Sequence, residues 1–127
     1  MKKARMMRIL KATEVSYSEE LEGRDYFQVF FEAGVDHADG YVLLQRQFEM
    51  PDDGESYFEC EQFERSGHFV IKQARLDRNS FVIEIPGGTG GKWEIHFEID
   101  DQRFEALKEV LGIILSKPNR LVVIQAG

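Results

Sequence analysis

The sequence predicts one α+β domain: mostly antiparallel β-sheet of about 7–8 strands, with one long helix in the C-terminal half packed on the sheet. Three observations carry this. Apolar and polar residues alternate over several short runs, as in strands with one wet face. Between residues 104 and 115 the apolar spacing changes to that of a helix. The chain has 127 residues, 43% of them hydrophobic and 12% aromatic, which suits a single domain, residues 1–127, with its own core.

Residues 6–17, MMRILKATEVSY, hold a first strand. DYFQVFFEAG is the next, with Phe27, Val29 and Phe31 on one face. VDHADG turns the chain. In the strand YVLLQRQFEM, one face reads Val42, Leu44, Arg46, Phe48, Met50 and the other Tyr41, Leu43, Gln45, Gln47, Glu49. The consecutive Val42, Leu43 and Leu44 point to a central strand apolar on both faces, or to a bulge that resets the alternation. PDDGES turns again, residues 56–61 make a short edge strand, and HFVIKQARLD makes another strand. After the turn DRNS, SFVIEIP places Phe81, Ile83 and Ile85 on one face. KWEIHFEID sets Trp93, Ile95, Phe97 and Ile99 against Lys92, Glu94, His96 and Glu98, and GGTGG between these two strands is a hairpin loop. Asp100 or Asp101 caps the helix. Its stripe is Phe104, Leu107, Leu111, Ile114 and Leu115; Pro118 in SKPN ends it, and RLVVIQ is a short last strand.

Arg46 stands in the more apolar stripe of its strand, and three accounts compete. The strand reaches the sheet rim there, with the stem buried and the head in water. Alternatively Arg46 is buried against a carboxylate, with Glu59, Glu61 and Glu84 as candidates. The third account turns it toward a partner.

Composition narrows the function classes. The net charge is −7, yet residues 1–11 hold five basic side chains and no acid, so the rest of the chain has 11 basic and 23 acidic residues. An acidic body repels nucleic acid and attracts basic proteins. No apolar run approaches the roughly 18 residues of a membrane span. The basic N-terminus lacks the apolar core of a secretory signal, and the lone Cys60 suits a reducing compartment. Cytoplasmic location, without membrane or nucleic-acid partners, is the expectation.

No catalytic set, metal site or cofactor motif is legible. GGTGGKW lacks Walker spacing and runs into a strand rather than a helix. His37, His68 and His96 lack metal-ligand spacing, and Cys60 has no histidine at a recognised spacing. The strongest local feature is residues 49–64, EMPDDGESYFECEQFE, with seven acids and no base. It reads either as a solvated edge loop or as a recognition surface anchored by aromatics and steered by carboxylates. On the second reading the partner-binding candidates are Asp52, Asp53, Glu55, Tyr57, Phe58, Glu59, Glu61 and Glu64.

YVLLQRQFEMPDDGESYFEC, followed by a strand pair and IHFEIDDQRFEALKEVLGIIL, resembles the Immunity protein 10 family of bacterial polymorphic toxin systems. The features are the LLQR strand, the acidic turn, a tyrosine with downstream acids, and the finish from Phe97 to Leu115. Gln45 and Arg46 match the family's QR pair; Asp53, Tyr57 and Glu59 approximate its acidic turn. The glycine loop and the last strand lie outside the likeness. The resemblance implies a mainly β protein that binds a cognate toxin non-covalently and blocks it. Acidity suits a basic toxin such as a nuclease. The alternatives are a small-ligand-binding β-rich domain with an interior pocket and, less consistent with these residues, a hydrolase using paired carboxylates.

Overall fold

The computed structural model of the chain describes residues 7–48, 54–61, 66–86 and 91–124. In chain order the strands are β1 (Met7–Lys11), β2 (Glu14–Tyr17), β3 (Tyr26–Glu32), β4 (Tyr41–Gln47), β5 (Ser56–Cys60), β6 (Gly67–Phe69), β7 (Gln73–Asp77), β8 (Ser80–Ile85), β9 (Gly91–His96) and β10 (Val122–Val123). One helix, α1 (Asp101–Ile114), separates β9 from β10. The strands form two five-stranded sheets. Sheet I has the order β2-β3-β4-β5-β6 and is antiparallel throughout. Sheet II has the order β1-β9-β8-β7-β10; its outer pairs, β1 with β9 and β10 with β7, are parallel.

Two stretches that read as single strands change sheet in the middle. Residues 6–17 split into β1 and β2: the Ala12 N–H donates to the His96 carbonyl of sheet II, and the next N–H, of Thr13, donates to the Glu32 carbonyl of sheet I, both at 2.8 Å. HFVIKQARLD splits likewise into β6 and β7, with Ile71 fully buried at the crossing. Apolar alternation reports which side of a strand is buried, not which sheet the strand belongs to, so neither corner is visible in the sequence. The expected edge strand at residues 56–61 is internal: β5 lies between β4 and β6, and β6 is the edge. RLVVIQ contributes two strand residues. The GGTGG loop falls largely on residues outside those described; β8 and β9 pair antiparallel as expected.

Both sheets are half-wet, and their inner faces meet. Phe31 of β3 stacks on Phe81 of β8 at 5.8 Å and on Phe97 at 6.0 Å; Phe58 of β5 lies 6.0 Å from Trp93 of β9. All five rings are buried, each apolar ring contributing on the order of 1.5–3 kcal/mol by leaving water. Val42 and Leu44 belong to this core, while Leu43 faces the opposite side in an unbroken register, so β4 is a central strand without a bulge. The third wall is α1, which packs on β3 and touches β2 and β4. Its whole expected stripe is buried, joined by Val110.

The ends of α1 fix its path. At the start, the Asp100 side chain accepts the Arg103 N–H at 2.8 Å, which satisfies one orphan donor of the first turn. Arg78 ties Asp101 and the Ile99 carbonyl together, both at 2.8 Å, and lies over the Phe104 ring. Arg103 reaches back to the Val15 carbonyl of β2. At the far end the Ser56 hydroxyl of β5 donates to the Ile114 carbonyl at 3.0 Å. The helix therefore crosses the inner face of sheet I from β2 to β5.

Arg46 sits where that crossing ends. It is 3% exposed, with its guanidinium 4.5 Å above the Phe48 ring. Its Nη1 donates to the carbonyls of Ile114 (3.3 Å) and Ser116 (2.9 Å) and to the Ser116 hydroxyl (3.3 Å); its Nη2 donates to the Lys117 carbonyl at 3.2 Å. The rim and partner-facing accounts are thus excluded. The carboxylates expected beside it are also displaced: Glu59, Glu61 and Glu84 alternate with buried residues and so lie on outer faces, with sheet between them and Arg46. A helix C-terminus presents unpaired carbonyls and about half a negative charge; among the described residues Arg46 meets the last carbonyl of α1, that of Ile114, and the Ser116 and Lys117 carbonyls just past the helix end. Arg46→Met should destabilise the fold by about 2–4 kcal/mol, since apolar truncation orphans several buried acceptors. Chemical denaturation at neutral pH measures this, and a loss under about 1 kcal/mol would contradict the account.

Candidate functional site

The inner faces of both sheets are spent on the core, so the strand residues open to another molecule lie on the outer faces. On sheet I, period-2 alternation turns outward Glu14 and Ser16 from β2, Tyr26, Gln28, Phe30 and Glu32 from β3, and Tyr41, Leu43, Gln45 and Gln47 from β4. It does the same for Tyr57 and Glu59 from β5 and His68 from β6. Strand register makes these a continuous surface: Phe30 stands opposite Leu43, Leu43 opposite Glu59, Gln45 opposite Tyr57, and Tyr57 opposite His68. The strands contribute carboxylates to this face and no lysine or arginine.

Its centre is a fixed carboxylate. The Tyr57 hydroxyl donates to Glu59 Oε1 at 2.6 Å and the Tyr41 hydroxyl donates to Glu59 Oε2 at 2.8 Å. Glu61, one step along the same side, accepts the Tyr41 backbone N–H at 3.2 Å. Beside this, the Gln28 side-chain oxygen accepts from the Tyr26 hydroxyl (2.6 Å) and from the Gln45 amide (2.9 Å). Aromatic contacts close the gaps, Phe30 against Tyr41 at 5.6 Å and Tyr57 against His68 at 5.1 Å. The tyrosines are held neutral. The charged hydrogen bond to Glu59, with some burial, pushes Tyr57 up to about 12. Burial, and then the bond to Glu59, raises Tyr41 further. Each Glu59 oxygen keeps a second lone pair for an outside donor.

The acidic-stretch candidates are thereby sorted. Tyr57, Glu59 and Glu61 share the outer face, and Glu55 is exposed just before β5. Phe58 is a correction: it alternates with Tyr57 and Glu59, is fully buried against Trp93, and is core rather than contact. Asp52, Asp53 and Glu64 lie outside the described residues. The residues that complete the face, Tyr26, Gln28, Phe30, Tyr41, Leu43 and Gln45, were not candidates. Their signal was present as the second stripe of strands whose first stripe is core, but only register shows that three such stripes adjoin.

Cys60, the one cysteine of the chain, is buried in the core. His96 pairs with Glu94 at 3.3 Å on the outside of sheet II. Among the described residues, no three histidine, cysteine, aspartate or glutamate side chains are grouped to hold a metal ion, and no helix is long and apolar enough to cross a membrane. In comparisons with known proteins, no protein-family model, no curated protein and no solved structure matches the chain.

Glu59→Gln replaces the charged acceptor with a neutral one. Tyr57 should then titrate well below its wild-type value of about 12, toward the ordinary tyrosine value of about 10. Ultraviolet difference spectroscopy of tyrosinate reads this directly. The folded value of Tyr57 lies above the unfolded one. Its bond therefore stabilises the fold fully below about pH 10 and loses that contribution as pH rises through the folded value. A wild-type alkaline unfolding profile indistinguishable from that of the Gln variant would refute the coupling.

Proposed function

We propose that the protein is a non-catalytic binding module that uses the outer face of sheet I to hold and neutralise a basic protein. The supporting observation is the composition of that face: tyrosines, a phenylalanine and a leucine around carboxylates, with no strand lysine or arginine. Aromatic side chains dominate protein-interface energetics, and complementary charge selects a cationic partner and speeds its arrival. The Tyr41–Glu59–Tyr57 bonds hold the carboxylate in place before the partner arrives, which lowers the ordering cost of association.

The resemblance to the Immunity protein 10 family gives the partner a character: a cognate bacterial toxin, basic, such as a nuclease whose own substrate site must be positive. A cytoplasmic site of action belongs to the same proposal. The small-ligand reading with an interior pocket gains no support, because inward positions are filled by Phe31, Phe58, Phe81, Trp93 and Phe97.

The product of the neighbouring gene, co-expressed with this protein, should co-purify with it and lose toxicity. Leu43→Arg places a cation in the middle of the face without touching the core. It should weaken the complex at least hundredfold in titration calorimetry, since like-charge juxtaposition costs several kcal/mol, and it should restore toxicity. Rising salt should slow association more than it speeds dissociation. A Leu43→Arg protein that folds and binds as tightly as wild type would place the interface elsewhere. A neighbouring product that neither binds nor is silenced would end the toxin reading.

A further inference from the structure

The outer face of sheet II has the opposite character, although the chain as a whole has a net charge of −7. A cleft of about 410 Å³ opens there, bordered by four cations, Lys72, Arg75, Lys92 and Arg120, and one carboxylate, Glu84. Its apolar floor includes Val82 and Val122. Three separate segments deliver the cations: Lys72 and Arg75 from β7 and the residue before it, Lys92 from β9, and Arg120 from the approach to β10. Arg75 of β7 stands opposite Val82 of β8 on one side and Val122 of β10 on the other. Lys92 of β9 stands opposite Glu84. The Arg120 N–H donates to the Ile71 carbonyl at 2.8 Å, which brings Arg120 beside Lys72.

Like charges gathered in one concavity repel, and proteins disperse or pair them unless the charge is used. Arg75 is paired, with Asp77 at 3.3 Å. Lys72, Lys92 and Arg120 form no ion pair among the described residues. The parallel last strand is what assembles this group: without β10 along β7, Arg120 and Val122 would not reach the cleft.

We propose that this cleft binds a small organic polyanion, one whose two or three carboxylate or phosphate groups meet Lys72, Lys92 and Arg120 while its carbon skeleton lies on Val82 and Val122. Its volume falls in the range of small-molecule sites. No aromatic side chain lines it, so it lacks the stacking platform of a single-stranded nucleic-acid groove. The site is on the other sheet from the proposed protein-binding face and stands or falls independently of it.

The test is calorimetric titration of the full-length protein with citrate and, separately, with pyrophosphate, at constant ionic strength. At least one probe should bind saturably at one equivalent; which one does so tells carboxylate from phosphate recognition. Lys92→Gln and Arg120→Gln should each weaken that binding about tenfold, the loss of one charge-assisted hydrogen bond. Lys11→Gln, on the same sheet face but outside the cleft, should leave it unchanged. Failure of both probes to saturate overturns the proposal. So does an equal loss in Lys11→Gln, which would reduce the effect to overall charge. If one cleft variant fails to fold, the other retains the comparison.

Discussion

The buried guanidinium of Arg46 joins the separate parts of this fold. Two sheets and a helix must share one core, and the helix has to stop where the sheets leave room. Arg46, from the middle of sheet I, holds carbonyls of Ile114, Ser116 and Lys117 at that point. Taking a cation out of water is costly, and so is burying the free carbonyls of a helix end. Each is the remedy for the other. Neighbouring groups use the same corner: Ser56 bonds to the Ile114 carbonyl, and the buried Asn119 bonds to Gly54, Ser116 and Ile71. Gly54 has φ +77, and a Cβ there would meet Pro118 at 2.7 Å, so only glycine lets the β4–β5 connection approach the helix end so closely. The helix C-terminus, two strands of sheet I and the crossing into sheet II are thus fastened together.

That fastening frees the outer faces for other work. Because the core is enclosed by the inner faces and α1, outward residues need not pack against protein, and the two outer faces differ in kind. Sheet I turns out tyrosines and carboxylates bonded to one another; sheet II turns out a cationic cleft. Fixed hydrogen bonds give the first face a rigid carboxylate, whereas three of the four cations on the second form no ion pair among the described residues. Rigidity suits a macromolecular contact, where ordering side chains costs affinity. Unpaired charge in a concavity suits a small ligand that supplies the missing sign.

Much of the fold was legible in the sequence because burial has a period. Alternation assigned the inward residues of β3, β8 and β9, and the shift to helical spacing assigned the core stripe of α1. The site was less legible. Tyr57, Glu59 and Glu61 stood out because acids crowd residues 49–64, but Phe58 was drawn into the same group although its neighbours on both sides face the other way. Tyr26, Phe30 and Tyr41 were legible only as the second stripe of their strands, since a half-exposed aromatic on a strand reads simply as strand. Four cations at positions 72, 75, 92 and 120 are invisible as a cluster in an acidic chain.

By itself the sequence determined local matters: which residues point inward, where the helix begins, that the chain is acidic, and that Arg46 is out of place in an apolar stripe. These follow from chemistry within a few residues of one another. Tertiary structure alone decided where the strand runs change sheet, which stripes lie side by side, and which backbone carbonyls meet Arg46. The carbonyls it bonds, of Ile114, Ser116 and Lys117, are about 70 residues away along the chain, and every residue carries one. No side-chain pattern can announce a partner of that kind; only the end of a helix, brought to that place by the rest of the fold, can supply it.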